Sequence, residues 1–102
     1  MSAQSVAEFR SIEAVDPTMV AVHGDRVVIS FGAAERAAVI VPFSELDRVK
    51  VRTLLGVSTL LLKTKPGRTM IADLMKPADA RRAADLIEEL RSESDDREEA
   101  VA

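Results

Sequence analysis

The chain has 102 residues, 47% of them hydrophobic, and a net charge of −3, which is room for one domain with one modest core. It has no cysteine and one histidine, so a disulfide framework and a thiolate metal site are both excluded. Three Phe with no Trp or Tyr leave few platforms for stacking bases, and the acidic balance repels phosphate backbones, so nucleic acid is an unlooked-for partner.

Residues 1–17 read as an N-terminal arm or short helix, because Val6, Phe9 and Ile12 fall at helical spacing. The stretch from Glu8 to Val15 fits an irregular strand equally, and Pro17 ends either one. It has neither the basic flank nor the apolar core of a secretion signal, and no apolar run further on approaches the roughly 18–20 residues that span a bilayer. A cytoplasmic protein is expected.

From Met19 the strand signals are clearer. Met19 to His23 and Arg26 to Phe31 flank Gly24-Asp25, a hairpin signal in which glycine would take the positive φ of a type II′ turn. Val27, Ile29 and Phe31 alternate with Arg26, Val28 and Ser30, as in a half-buried strand. Residues 32–36 read as a turn. Ala37 to Phe43 is the next strand, and Pro42 confines it to an edge or ends it there, since proline cannot donate to a ladder. In Leu46 to Thr53, Arg48, Lys50 and Arg52 alternate with Val49 and Val51, which predicts a basic outside and an apolar inside. Gly56 breaks the chain, Ser58 to Thr64 follows with Leu60 and Leu62 on one face, the turn Lys65-Pro66-Gly67-Arg68 comes next, and Thr69 to Leu74 is the sixth strand. Met19, Met70 and Met75 suit the core or its rim.

Pro77 opens the one clear helix, in the turn whose amides lack partners anyway. Asp79 sits near its positive end. Ala80, Ala83, Ala84, Ile87 and Leu90 form an apolar stripe. The domain is therefore expected over residues 18–91. Residues 92–102, with almost no apolar content, are expected to be an acidic, disordered tail. Charge is segregated along the chain. Residues 1–47 carry three basic and seven acidic side chains, residues 48–76 seven basic and one acidic (Asp73), and residues 77–102 four basic and nine acidic.

The order of these pieces resembles the bacterial pleckstrin-homology-like (PH-like) domains. Asp25-Arg26-Val27 is similar to the opening of that family's second strand. Val41, Pro42, Phe43, Leu46 and Val49 match its Pro-containing segment, Leu54-Leu55-Gly56-Val57 its glycine break, and Pro77 its Pro-initiated terminal helix. The resemblance covers about residues 19–91. It implies an α+β fold, a bent antiparallel sheet or small open barrel of six to seven strands capped by one C-terminal helix. A seventh strand would come from Glu8 to Val15 or from splitting residues 43–53.

Two surfaces are candidates for function. The first is a basic face of Arg48, Lys50, Arg52, Lys63, Lys65 and Arg68. Its first-ranked reading is a solvated face that guards sheet edges. The others are a site for an anionic partner, whether lipid headgroup, phosphate or acidic protein segment, and a seat for the chain's own acidic tail. The second is the pair Leu54 and Leu55 beside Gly56. Such residues more often fold back into the core, and exposed they would make an apolar interface. His23 reads as a turn-flanking residue, and neither a metal constellation nor a phosphate loop is legible. No cofactor and no catalysis are expected. The expected role is a non-catalytic binding module, a small adaptor or homo-oligomeric subunit that engages a protein or its own copies. An anionic lipid or phosphate module at a membrane surface is the alternative.

Overall fold

The computed structural model describes residues 6–12, 17–31 and 38–101, with side chains described as far as Glu93. The expected turn at residues 32–36 lies outside the described residues. The elements are β1 (Ala7–Arg10), β2 (Met19–Val22), β3 (Arg26–Ser30), β4 (Ala38–Pro42), a 3-10 turn (Phe43–Glu45), β5 (Leu46–Leu54), β6 (Val57–Thr64), β7 (Thr69–Met75) and α1 (Pro77–Val101). They form two antiparallel sheets, β1-β2-β3-β4 and β5-β6-β7, joined through the 3-10 turn and capped by the C-terminal helix. This α+β arrangement is compatible with a PH-like fold.

Alternation sorts each strand into an inner and an outer face. Phe9, Val20, Val22, Val27, Ile29 and Val41 of the first sheet meet Leu46, Leu60, Leu62, Ala72 and Met75 of the second in one buried cluster, with Phe43 between them. Ala80, Ala83 and Ile87 of α1 join the same cluster, and Ala84 and Leu90 pack beside it. The alanines let the helix approach the inner face of β5 and β6 closely, and Ile87 fills the gap between the sheets. One backbone link ties the two sheets at a corner, from Ile12 to Leu74, and a second carries the β5–β6 ladder one pair past Leu46↔Thr64. Ile12 N–H donates to the Leu74 carbonyl at 2.7 Å, and Lys65 N–H to the Glu45 carbonyl at 2.8 Å.

Four expectations need correction. The N-terminal segment is not a helix where it is described: Ala7–Arg10 is the seventh strand, paired with β2 from Ala7↔Val22 to Arg10↔Met19. Its helical spacing was misleading because only Phe9 of the three apolar residues is buried, while Val6 and Ile12 are exposed. The β2–β3 hairpin forms, but Gly24 does not take a left-handed φ. The reversal still falls on Gly24-Asp25, flanked by His23 N–H donating to the Arg26 carbonyl, and the Asp25 carbonyl accepts from Phe43 N–H. Nor does α1 end at Arg91; it runs on to Val101. Residues 92–101 contain no glycine or proline to stop it and include Glu, Arg and Ala, which favour helix. Phe31, expected on the buried face of β3, falls just past the strand and is exposed.

Because Ile87 is fully buried at the junction of helix and sheets, Ile87→Asp is expected to cost more than about 4 kcal/mol, the signature of an unpaired buried charge. Thermal unfolding checks this: the variant should melt roughly 20 °C below the parent or be unfolded at room temperature.

Candidate functional site

The β5–β6 hairpin reverses in two residues, Leu55 at φ +54° and Gly56 at φ +78°. Positive φ at both central positions is the type I′ turn, which matches the twist of the flanking strands. Glycine accepts that conformation freely. Leucine does not, because its Cβ crowds the following carbonyl, at a cost of about 1–2 kcal/mol. Leu55 is also 93% exposed and Leu54 71% exposed. The pair therefore stands out from the hairpin tip, against the commoner outcome of folding back into the core.

The register fixes what lies behind the tip. Leu54 pairs with Val57, Arg52 with Thr59, Lys50 with Leu61 and Arg48 with Lys63. Across β6, Leu61 faces Ile71 and Lys63 faces Thr69. The outer face of the second sheet is thus a basic row on β5, with Lys63 beside its far end, and a central apolar pair of Leu61 and Ile71. Arg48 and Lys63 are like charges directly opposite, an arrangement that destabilises a ladder. Among the described residues the ion pairs are Arg26–Asp25 and Arg91–Glu88. Neither neutralises this row.

Four of the six basic candidates, Arg48, Lys50, Arg52 and Lys63, are therefore together on one face. Lys65 stands one residue beyond β6, exposed in the turn. Arg68 belongs elsewhere. It shares parity with the inward Met70 and lines, with Glu45, Thr64 and Ile40, a cleft of about 330 Å³ against the edge of β4. The turn signal that located Arg68 did not show that its neighbour Thr69, paired with Lys63, takes the outward position. Leu61 and Ile71 were missed, although Leu61 is two residues from Lys63 and so shares its face. A second groove, of about 610 Å³, runs between β1 and α1, lined by Val6, Phe9, Leu86, Arg82 and Glu89 among others.

One acid interrupts the basic face. Asp73 Oδ1 accepts from Thr59 Oγ1 at 2.6 Å and from Leu74 N–H at 2.9 Å. The Thr59 hydroxyl first, and then the Leu74 amide, hold the Asp73 carboxyl below its ordinary value of 3.8. The register shifts here, so that Asp73 and Leu74 together oppose Thr59, and Leu74 adopts φ +55°. This bulge turns the Leu74 carbonyl toward Ile12, and so Asp73 braces the corner between the sheets.

The other candidates carry little chemistry. His23 directly follows β2, with its Nδ1 buried and unpartnered among the described residues. Among those residues no three His, Cys, Asp or Glu side chains gather in a way that could hold a metal ion, and no helix is long and apolar enough to cross a membrane. No family model and no curated protein matches the chain.

Two measurements check this geometry. Leu55→Asn, which places a residue suited to left-handed φ at the turn, is expected to raise stability by about 1 kcal/mol in denaturant unfolding. For Asp73, a lowered folded pKa means a contribution that is present above the unfolded value and lost as pH falls through the folded one. Thr59→Val should therefore melt below the parent at pH 5–7, and the gap should close as the pH is taken well below 3.8.

Proposed function

We propose that the chain is a non-catalytic, PH-like binding module, a small cytoplasmic adaptor or homo-oligomeric subunit, that engages protein through the outer face of the β5–β7 sheet and its Leu54–Leu55 tip. The observation that carries this reading is Leu55, which is left-handed, 93% exposed and at the head of an unpaired basic row. Asparagine or glycine would make the same turn at lower cost. A leucine there stabilises nothing inside the chain, so what offsets its cost is contact outside it. The basic row beside it selects an acidic partner surface.

An anionic membrane is the second reading, favoured by the adjacency of the leucine pair to Arg52 and Lys50. Each basic side chain near such a surface contributes about 1 kcal/mol. A net charge of −3 opposes the approach, which ranks protein first.

The test is a photo-crosslinker, Leu55→p-benzoylphenylalanine, irradiated in the producing cell. Adducts of protein mass are expected at this position and not at Arg82, on the helix behind the inner face of the sheet. Adducts to lipid alone, or none, would overturn the protein reading.

A further inference from the structure

The helix supplies a candidate for the acidic partner. β7 ends at Met75, which pairs with Ser58 next to the hairpin tip. α1 therefore starts near the tip. Fourteen residues later Arg91 donates from Nη2 to the Asp47 carbonyl at 2.9 Å, at the opposite end of β5. The helix thus travels the length of β5 away from the tip, seated on the inner side of the sheet, and then runs on through residues 92–101 beyond Asp47. A continuous helix on the inner side of β5 cannot also lie on its outer side. The acidic segment of one chain is accordingly kept from its own basic row.

The two separated parts match each other. Ten further helical residues extend about 15 Å at 1.5 Å each. Arg48 to Arg52 spans about 13 Å of strand. Residues 92–102 hold five acidic side chains, Glu93, Asp95, Asp96, Glu98 and Glu99, and one basic, Arg97. The negative end of the helix dipole adds to that charge. The order matches as well: the row reads basic and then apolar, Arg48, Lys50, Arg52, Leu54, Leu55, while the segment reads acidic and then apolar, ending Ala100-Val101-Ala102.

We infer that the outer face of β5–β6 is the docking site for the acidic helix end of a second copy of this chain. This rests on the reading of that face as a protein-binding surface and names its occupant. The segment lies along the row with its C-terminus toward the Leu54–Leu55 tip. Each copy carries both halves of the contact, at different places on the molecule, so the contact forms between chains.

The experiment is solution mass by sedimentation, at low and high salt, for the full chain and two charge reversals. The face reversal is Arg48→Glu/Lys50→Glu/Arg52→Glu, and the helix-end reversal is Asp95→Lys/Asp96→Lys/Glu99→Lys. The parent is expected to associate at 50 mM salt, with its dissociation constant at least tenfold weaker at 500 mM. Each reversal alone repels itself and should sediment as a monomer. An equimolar mixture of the two should associate again, because each then presents the charge that the other lost. Deletion after Arg91, which spares the buried stripe, should keep the melting temperature within a few degrees and abolish association; it also serves if the face reversal fails to fold. A parent that stays monomeric at low salt, association indifferent to the helix-end reversal or the deletion, or a mixture that stays monomeric would each overturn the inference. A monomeric parent that cosediments with vesicles of phosphatidylserine and phosphatidylcholine would replace the second copy with a lipid surface. Protein adducts at Leu55 together with a salt-indifferent mass would leave the binding reading standing and remove only this occupant.

Discussion

The register of the β5–β6 hairpin is the constraint on which the rest of the structure depends. Side chains alternate with a period of two, so a slip by one residue would turn every one to the other face. In the observed register Leu46, Leu60 and Leu62 point inward and receive the helix, while Arg48, Lys50, Arg52 and Lys63 point outward. A slip would bury four cations and expose the leucines, which no repacking could offset. The two-residue turn at Leu55-Gly56 sets the register, and Gly56 makes so short a turn possible. Inside the hairpin, the fully buried Ser58 keeps its hydroxyl paired with Thr53 Oγ1 at 2.7 Å, so the first polar rung of the ladder is satisfied.

Two leucines adopt left-handed backbone, and their surroundings separate their roles. Leu74 lies in a bulge where Asp73 holds its amide and its carbonyl reaches Ile12, so its strain is balanced by bonds that close the corner between the sheets. Among the described residues no comparable contact holds Leu55, and its side chain stands in solvent. Strain offset within the fold is structural. Strain with no internal compensation points outward, and this contrast is what singles out the tip rather than the bulge as a working surface.

Much of the fold was legible because its signals are local. Alternation located β2 to β7 within about two residues, Pro42 marked the edge strand, and the stripe from Ala80 to Leu90 located the helix and its buried face. What escaped depended on longer-range facts. β1 is four residues long and half of it is exposed, so nothing in its composition separates it from a helix turn; its pairing with β2 decides it. Residues 92–101 look like a charged, solvated tail on composition, but a helix already begun needs no new nucleus, and its continuation adds a bond for every residue fixed. In the basic face, four of six members followed from parity. Arg68 was misplaced because a turn intervenes and the parity count does not carry through it. The exposure of Leu54 and Leu55 was not legible: the same letters serve a buried corner or a bare tip, and only the two-residue turn closing directly on the paired strands leaves them no core to enter.

The segregation of charge read along the chain acquires its meaning from the path of α1. Had the helix run the other way, its acidic end would project past the leucine tip rather than past Asp47. Instead the helix carries the acids past Asp47, some 20 Å of strand from the tip and then farther, well beyond the screening length of about 8 Å at physiological ionic strength. At that separation the acids do not reach the tip or Arg52, and the inner seat of the helix holds them off the outer face that carries Arg48 and Lys63. A net charge of −3 therefore describes the chain poorly: a partner meets the basic, leucine-tipped outer face of the sheet or the acidic end of the helix. Approach is governed by whichever of the two surfaces faces it.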